Sequence, residues 1–319
     1  MTNIRDLAKI AGVSVTTVSR VLNNHPYVSQ EKKDAVSRAI KESNYHKNIN
    51  AVHLSKGRTN LIGVAVPFSD HPYFGLLLKG IANESLKNNY KLVLFQTNYE
   101  ETRELEALEM LKQKQIDSLI ICSRICDWKV VEDYLTSGPI VLCEKTIGDQ
   151  VSSTYIDHYK SFSDALNYLF QKGHRKIGYC IGRRSGTNSK DRHKAYRHFL
   201  KERQLCYRPE YVFDQCLHFE DGSEVINKMK QLQEPPTALL VTSDQVAAGI
   251  AACSKNEGIA IPENLALVGF NNEPIAQMMN ITTVEIPLVE MGINLLRQAV
   301  NKAITRKEID VTLIERESV

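Results

Sequence analysis

The sequence predicts an α/β protein: a small N-terminal module of three helices, then two doubly wound α/β halves. Three observations lead there. Residues 1–60 space apolar side chains as helices do and hold ten of the 40 Lys and Arg against only four of the 37 acids, so a local surplus of +6 sits in a chain of net charge +3. From residue 61, short apolar runs alternate with amphipathic stretches, the pattern of parallel strands buried on both faces and joined by helices. That alternation occurs twice in 319 residues, a length that exceeds most single cores.

The first helix follows Asn3, a good N-cap for "IRDLAKIA"; Ile4, Leu7, Ala8 and Ala11 share one face, and Gly12 ends it. Only Val13 separates this stop from Ser14, the next N-cap, so the second helix must turn sharply away. In that helix Val18, Val21 and Leu22 form a buried stripe, yet Val15, Thr16, Thr17, Val18 and Ser19 are poor helix formers. Their cost is roughly 2 kcal/mol over one short helix relative to Ala or Leu. Short outward side chains suit a helix lying in a DNA major groove: Val and Thr methyls meet thymine methyls, hydroxyls meet polar edges, and Arg20 reaches guanine or a phosphate. Pro26 closes the loop "NNHPY", and Ser29 caps a third helix with Ala35, Val36, Ala39 and Ile40 inward. Two helices on a tight glycine turn, supported by a third, make a helix-turn-helix over residues 1–46. The alternative is a helical hairpin packed on its own protein, against which the local +6 counts.

Residues 47–60, "KNINAVHLSKGRTN", read as a linker; a helix of about nine residues there is marginal in water unless something holds it. In the body, residues 61–319, the runs "LIGVAV", "KLVLFQ", "DSLIIC" and "IVLCE" are strands separated by helices near 73–89, 101–115 and 128–137. The second half repeats the scheme with "KIGYCI", a helix near 189–204, "ALLVT", a helix from Asp244 to about 257, and "LALVGF". The last stretch, with a helix near 288–304 and the apolar "IDVTLI", is expected to cross back, giving subdomains of about 61–157 plus 286–319 and about 158–285. Ligands in such folds sit beyond the carboxyl ends of the strands, here in a cleft between the halves. The segments at those ends, "PFSDHPYFG", "IDHYKS", "GRRSGTNSKDRHKAY", "TSDQ" and "GFNNE", mix rings with carboxylate, amide and guanidinium groups, the set that sugar hydroxyls and C–H faces need.

Other classes find little support. No run of 18 uncharged apolar residues occurs, and Asp6 and Lys9 stand where a signal peptide would be apolar, so a cytoplasmic protein without membrane contact is expected. Seven cysteines without a C-x-x-C pair, with Cys122, Cys143 and Cys180 ending apolar runs, read as buried free thiols. "GRRSGTNSK" lacks the G-K-[ST] ending of a phosphate loop, and no G-x-G-x-x-G, H-E-x-x-H or G-x-S-x-G motif occurs. His71, His158 and His174 lack metal-ligand spacing and read as solvated or capping residues. No enzyme, cofactor or metal is expected; a stand-alone sugar-binding protein or a sugar-processing enzyme is the rival reading.

The stretch "IRDLAKIAGVSVTTVSRVLN" closely resembles the signature of the LacI/GalR (lactose-repressor) family, and the likeness continues through "TSDQVAAG", "IPENLALVGFNNEPIA" and "TTVEIPLVEMG" over nearly the whole chain. The resemblance implies a periplasmic-binding-protein-like body and a homodimeric repressor of a sugar-utilisation operon, controlled by a sugar-like effector and bound to a palindromic operator. It implies that Val15, Thr16 and Arg20 face the bases, and that Thr2, Ser14, Ser19, Asn23, Tyr27 and Ser29 hold phosphates or fix the register. It further implies a hinge helix in which Asn48, Ala51 and Leu54 meet the minor groove, although Lys47 and Val52 depart from the usual proline and arginine. For the effector it implies contacts from Tyr73, Phe74, Asp157, Arg192, Asp244 and Asn271, the last replacing a usual aspartate and suggesting an altered ligand.

Overall fold

The structure, a computed structural model, describes residues 2–46, 57–146, 149–301 and 303–319. The chain divides into two compact units, Met1–Arg58 and Thr59–Val319. The expected hinge residues Asn48, Ala51 and Leu54 lie outside the described residues.

The first unit holds α1 (Ile4–Ala11), α2 (Val15–Leu22) and α3 (Gln30–Glu42). Asn3 and Asp6 form a reciprocal capping box at the start of α1, and Gly12 ends it in the left-handed conformation at φ 63, which a side chain would resist. The Ser14 hydroxyl accepts from the Thr17 N–H and so caps α2. Ser29 stands at the N-cap position of α3 but its side chain makes no capping bond, contrary to the role expected of it. Leu7, Ala8, Val18, Val36 and Ala39 are buried, with Ile4, Val21, Leu22 and Ile40 packed around them. Burying Leu7 or Val18 contributes about 1.5–3 kcal/mol each, which is most of what so small a core can supply.

In the second unit, two six-stranded sheets carry helices on their faces. The first sheet comprises β1 (Leu61–Val66), β2 (Lys91–Gln96), β3 (Ser118–Ile121), β4 (Ile140–Leu142), β5 (Ser152–Tyr155) and, from the far end of the chain, β11 (Arg306–Glu308). All of its pairings are parallel, in the order β11-β5-β4-β3-β1-β2. The helices α4 (Pro72–Lys87), α5 (Glu101–Lys112) and α6 (Trp128–Glu132) connect its strands. The apolar run of β2 suggested burial on both faces, but β2 is the edge strand and alternates between exposed and half-buried positions.

The second sheet contains β6 (Ile177–Cys180), β7 (Val212–Phe213), β8 (Ala238–Val241), β9 (Ala266–Asn271), β10 (Thr282–Glu285) and β12 (Thr312–Ile314). Around it lie α7 (His158–Gln171), α8 (Thr187–Glu202), α9 (Asp221–Lys230), α10 (Asp244–Asn256) and α11 (Pro274–Met278), while α12 (Leu288–Val300) returns to the first half. Here one expectation fails. The run "IDVTLI" does not stay with the first half: β12 pairs antiparallel with β10, because only residues 306–308 lie beside β5 before the chain crosses again. The halves are therefore joined by three crossings, at 155–158, 285–288 and 308–312.

Helices α4 and α12 come into backbone contact at two glycines. A Cβ on Gly80 would lie 2.1 Å from the Val289 carbonyl oxygen, and one on Gly292 would lie 2.2 Å from that of Leu77. Arg297 of α12 adds an ion pair to Glu84 of α4 at 2.8 Å.

Candidate functional site

Two surfaces merit description, one in each unit. On α2 the buried stripe of Val18, Val21 and Leu22 leaves the opposite face outward, where Val15 (41% exposed), Thr16 and Arg20 reach solvent beside the half-buried Ser19. Tyr27 is 86% exposed, and Asn23 and Ser29 are exposed as well. Thr2 is committed locally, its hydroxyl donating to the Ser43 carbonyl at 3.4 Å. Arg5 and Lys9, which the sequence reading counted only as charge, line a surface concavity with Gly12, Ser14 and Val15. Two cations therefore flank the start of the outward-facing helix, an arrangement suited to phosphate.

In the second unit the carboxyl ends of both sheets face a common cavity. From the first half come Tyr73 and Phe74 at the start of α4, Tyr99 after β2, Ser123 and Arg124 after β3, and Cys143 and Glu144 after β4, while His158 opens α7 at the crossing after β5. The second half contributes Arg183 after β6, residues Gly186 to Ser189 and Arg192 of α8, Leu217, Ser243 after β8, and Asn271 at the end of β9. Four of the six effector residues that the resemblance implied, Tyr73, Phe74, Arg192 and Asn271, meet here.

The other two do not. Asp157 caps α7, accepting from the Lys160 N–H at 2.8 Å, and lies 3.9 Å from Lys145. Asp244 is fully buried beneath the floor; its two oxygens accept from the Thr283 hydroxyl at 2.7 Å and the Glu273 N–H at 2.8 Å. Burial pushes its carboxyl up to about 7, against the pull of those two bonds. Asn271 reaches the same buried group, donating from Nδ2 to Glu273 Oε1 at 3.1 Å. Glu273 is in turn raised to about 6 by burial.

Contacts span the cleft. His71 Nδ1 accepts from the Tyr73 N–H, which fixes the ring proton on Nε2, and Nε2 then donates to the Leu217 carbonyl of the second half at 3.1 Å. Burial, and then His218 nearby, lower the His71 pKa and favour this neutral form. Arg183 reaches the other way, donating to Ser123 Oγ at 3.2 Å and the Arg124 carbonyl at 2.9 Å, with its guanidinium 4.1 Å from the centre of the Tyr99 ring. Arg124 pairs with Glu144.

Several polar atoms in the wall have no hydrogen-bond partner among the described residues: Arg192 Nε, His158 Nδ1 and Ser243 Oγ. His158 is only 6% exposed, so it is neither solvated nor a cap; burial first and Arg192 second hold its pKa well below the ordinary range. Arg192 is lowered by burial to about 10 and remains a cation at neutral pH. The Cys143 thiol is pushed up to about 12 by burial, and Cys122 rises well above the ordinary thiol range, so both line the wall as neutral groups.

The loops carrying the rings and amides turn through left-handed backbone. Asn98 and Tyr99 have φ 50 and 58, and Asn271 and Asn272 have φ 105 and 54, consecutive left-handed residues in both halves at the cavity. Asparagine tolerates this conformation; for Tyr99 it carries a steric cost on the order of 1–3 kcal/mol. Among the described residues no helix is long and apolar enough to cross a membrane.

Comparison with known proteins bears on both units. Residues 3–48 match the model of bacterial regulatory proteins of the lacI family, and residues 59–318 match that of periplasmic binding proteins and the sugar binding domain of the LacI family. The HTH-type transcriptional regulator YkvZ of Bacillus subtilis (strain 168) is 43% identical over 100% of both chains. The NTD biosynthesis operon regulator NtdR of the same organism is 39% identical over 95% of this chain and 92% of its own. A crystal structure of a LacI family regulator from Lactobacillus casei with bound sucrose aligns at TM-score 0.75 and 25% identity, covering 81% of this chain and 99% of that one. With the outward-facing helix and the cleft matched in a single continuous alignment to full-length regulators, the chain belongs to the LacI family of DNA-binding transcriptional regulators.

Proposed function

We propose that the protein is a cytoplasmic repressor that binds a palindromic operator as a homodimer and changes its operator affinity when a polyhydroxylated, sugar-like effector occupies the cleft. The observation that carries this reading is the wall itself. Rings of Tyr73, Phe74 and Tyr99 stand beside partnerless hydrogen-bonding atoms of Arg192, His158 and Ser243. A buried polar atom left alone costs about 1–3 kcal/mol, so a ligand bringing hydroxyls recovers that loss while its C–H faces stack on the rings.

At the other end, Val15, Thr16 and Arg20 read base edges, while Arg5, Lys9, Thr2, Ser14, Ser19, Asn23, Tyr27 and Ser29 set the register on phosphates. Residues 47–60 act as the hinge, with Asn48, Ala51 and Leu54 meeting the minor groove. The effector alters the relative placement of the paired hinges and thereby the operator affinity. The protein has no catalytic role. The sucrose-bound relative and the sugar-binding description of the matched family model favour a sugar over other small molecules.

The test is to select duplexes from a random pool with the full-length chain, then measure affinity for the recovered sequence with and without a panel of mono- and disaccharides. Two inverted half-sites and an affinity change of tenfold or more with one sugar are expected, the change being lost in Arg192→Ala. Recovery of unrelated single sites, or an effector response that survives Arg192→Ala, would count against the reading.

A further inference from the structure

The charge of the cleft says more about its ligand than the polar lining alone. Its wall holds three guanidinium groups, Arg124, Arg183 and Arg192, against one carboxylate, Glu144. Arg124 is neutralised by Glu144, and Arg183 is spent on the Ser123 hydroxyl, the Arg124 carbonyl and the Tyr99 ring. Arg192 has neither: its Nε is partnerless, no carboxylate pairs with it among the described residues, and the aromatic face nearest its guanidinium is that of Phe270, 5.6 Å from the ring centre. Asn271, uncharged, occupies the end of β9, and the carboxylates beneath it, Glu273 and Asp244, are bound to Asn271 and to backbone and hydroxyl donors.

A second feature adds to the same spot. Residues Gly186, Thr187, Asn188 and Ser189 form the start of the 16-residue helix α8 and all line the cavity, and no side chain caps that end. The free N–H groups of a helix N-terminus carry partial positive charge and bind anions. His158, also in the cavity wall, is buried and neutral with Nδ1 unpartnered, so it can share a proton with an acidic group without adding charge.

Arg192 is half-buried with its Nε closed off from water, and a cation held partly out of water without a counter-charge favours an anionic partner. We propose that the effector is an anionic sugar, a sugar acid or a sugar phosphate, whose acidic group lies between the Arg192 guanidinium and the uncapped N-terminus of α8. The inference rests on the reading of this cleft as the effector site. It restricts the effector class to ligands in which a carboxylate or phosphate, and not hydroxyls alone, supplies the main contact.

The test is a thermal-shift and calorimetric series on the full-length protein at constant ionic strength. It uses matched trios (glucose, gluconate and glucose 6-phosphate; galactose, galactonate and galactose 6-phosphate) together with inorganic phosphate. An acidic member is expected to raise the melting temperature by several degrees at a concentration where its neutral parent does not, and to bind at least tenfold more tightly. Gluconate against glucose 6-phosphate then tells carboxylate from phosphate, and inorganic phosphate alone shows whether the anion suffices. Arg192→Gln should remove the preference for the acidic members, Arg192→Lys should keep part of it, and His158→Asn, a milder change should Arg192→Gln unfold, should weaken it.

If in every trio the neutral sugar shifts the protein as much as its acidic partners, including no shift by any of them, the proposal is overturned. Neutral-sugar binding that Arg192→Gln abolishes would overturn the anion and leave the cleft assignment standing. Acidic-sugar binding that both variants leave unchanged would overturn both.

Discussion

In the headpiece, residues 2–46, a core of Leu7, Ala8, Val18, Val36 and Ala39 holds three helices, and every residue assigned to DNA lies outside it. In the body the order is inverted: the cavity is enclosed by two sheets, and its working atoms are buried and lack partners. A surface that meets a polyanion can leave its side chains hydrated until contact, so specificity there costs only helix propensity. A site that encloses a small ligand must hold its polar groups away from water in advance, and the cost appears as shifted pKa values and unpaired donors. The first kind of site depends on a thin core; the second draws on a large one.

The thin core is the part of the molecule most exposed to a single substitution. Leu7→Ala should cost about 2–5 kcal/mol, enough to unfold so small a module. Calorimetry should then show the body's transition in place while DNA retention is lost; retained DNA binding would mean that the headpiece draws stability from elsewhere.

In the body, the largest expected effect is one of pH. Asp244 has a folded-state pKa of about 7, above the ordinary carboxylate value near 4, so the folded chain holds a proton that the unfolded chain releases between these limits. The sign follows: the stability from this group is full below about pH 4, and it is lost as pH rises through about 7. The loss is on the order of 4 kcal/mol. Urea midpoints of Asp244→Asn, compared with wild type from pH 4 to 8, should show a flatter decline; parallel curves would place the titration elsewhere.

Smaller effects separate the reading helix from the charge around it. Arg20→Ala should weaken operator binding by about 1–3 kcal/mol, whereas Lys41→Ala on α3 should change it little, as measured by fluorescence anisotropy. Equal losses would reduce the headpiece to a charged patch. The smallest effect is the most diagnostic: Val15→Ala, at an exposed helical position, should raise headpiece stability by about 0.5 kcal/mol while lowering operator affinity. A variant that gained in both would show that the poor helix formers serve no contact.

What the sequence disclosed follows the same division. In the headpiece, caps, stripe and turn are neighbours along the chain, so local rules found them. In the body, the apolar strands β1, β3, β4, β6, β8 and β9 announce themselves, but β5, "SSTY", is buried while polar, its Thr154 hydroxyl satisfied by Gln298 far along the chain. The helices α7, α9 and α11 were not assigned either; α7 begins within "IDHYKS" and α11 directly follows "GFNNE", segments that were read as strand ends. Asp157 and Asp244 looked like ligands because polar residues at strand ends serve three purposes alike: contact, capping and buried support. Only the fold separates them. Tyr99, Arg124 and Glu144 were missed although each follows a strand, while Arg183 and Ser243 lay inside the strand-end segments already singled out without being named; applying the strand-end rule at every strand would have found the first three.

The close approach of α4 and α12 at Gly80 and Gly292 has a mechanical consequence. Where two helix backbones touch at a pair of glycines, that contact contains no flexible side chain to absorb displacement, so a shift of one helix is passed to the other. One end of the pair carries Tyr73 and Phe74 into the cavity wall; the α12 end begins directly after the crossing at 285–288. Any rotation of the second half about its crossings therefore reaches the ligand wall without slack. A ligand that draws Arg192 toward that wall pulls, in return, on the strap that joins the halves.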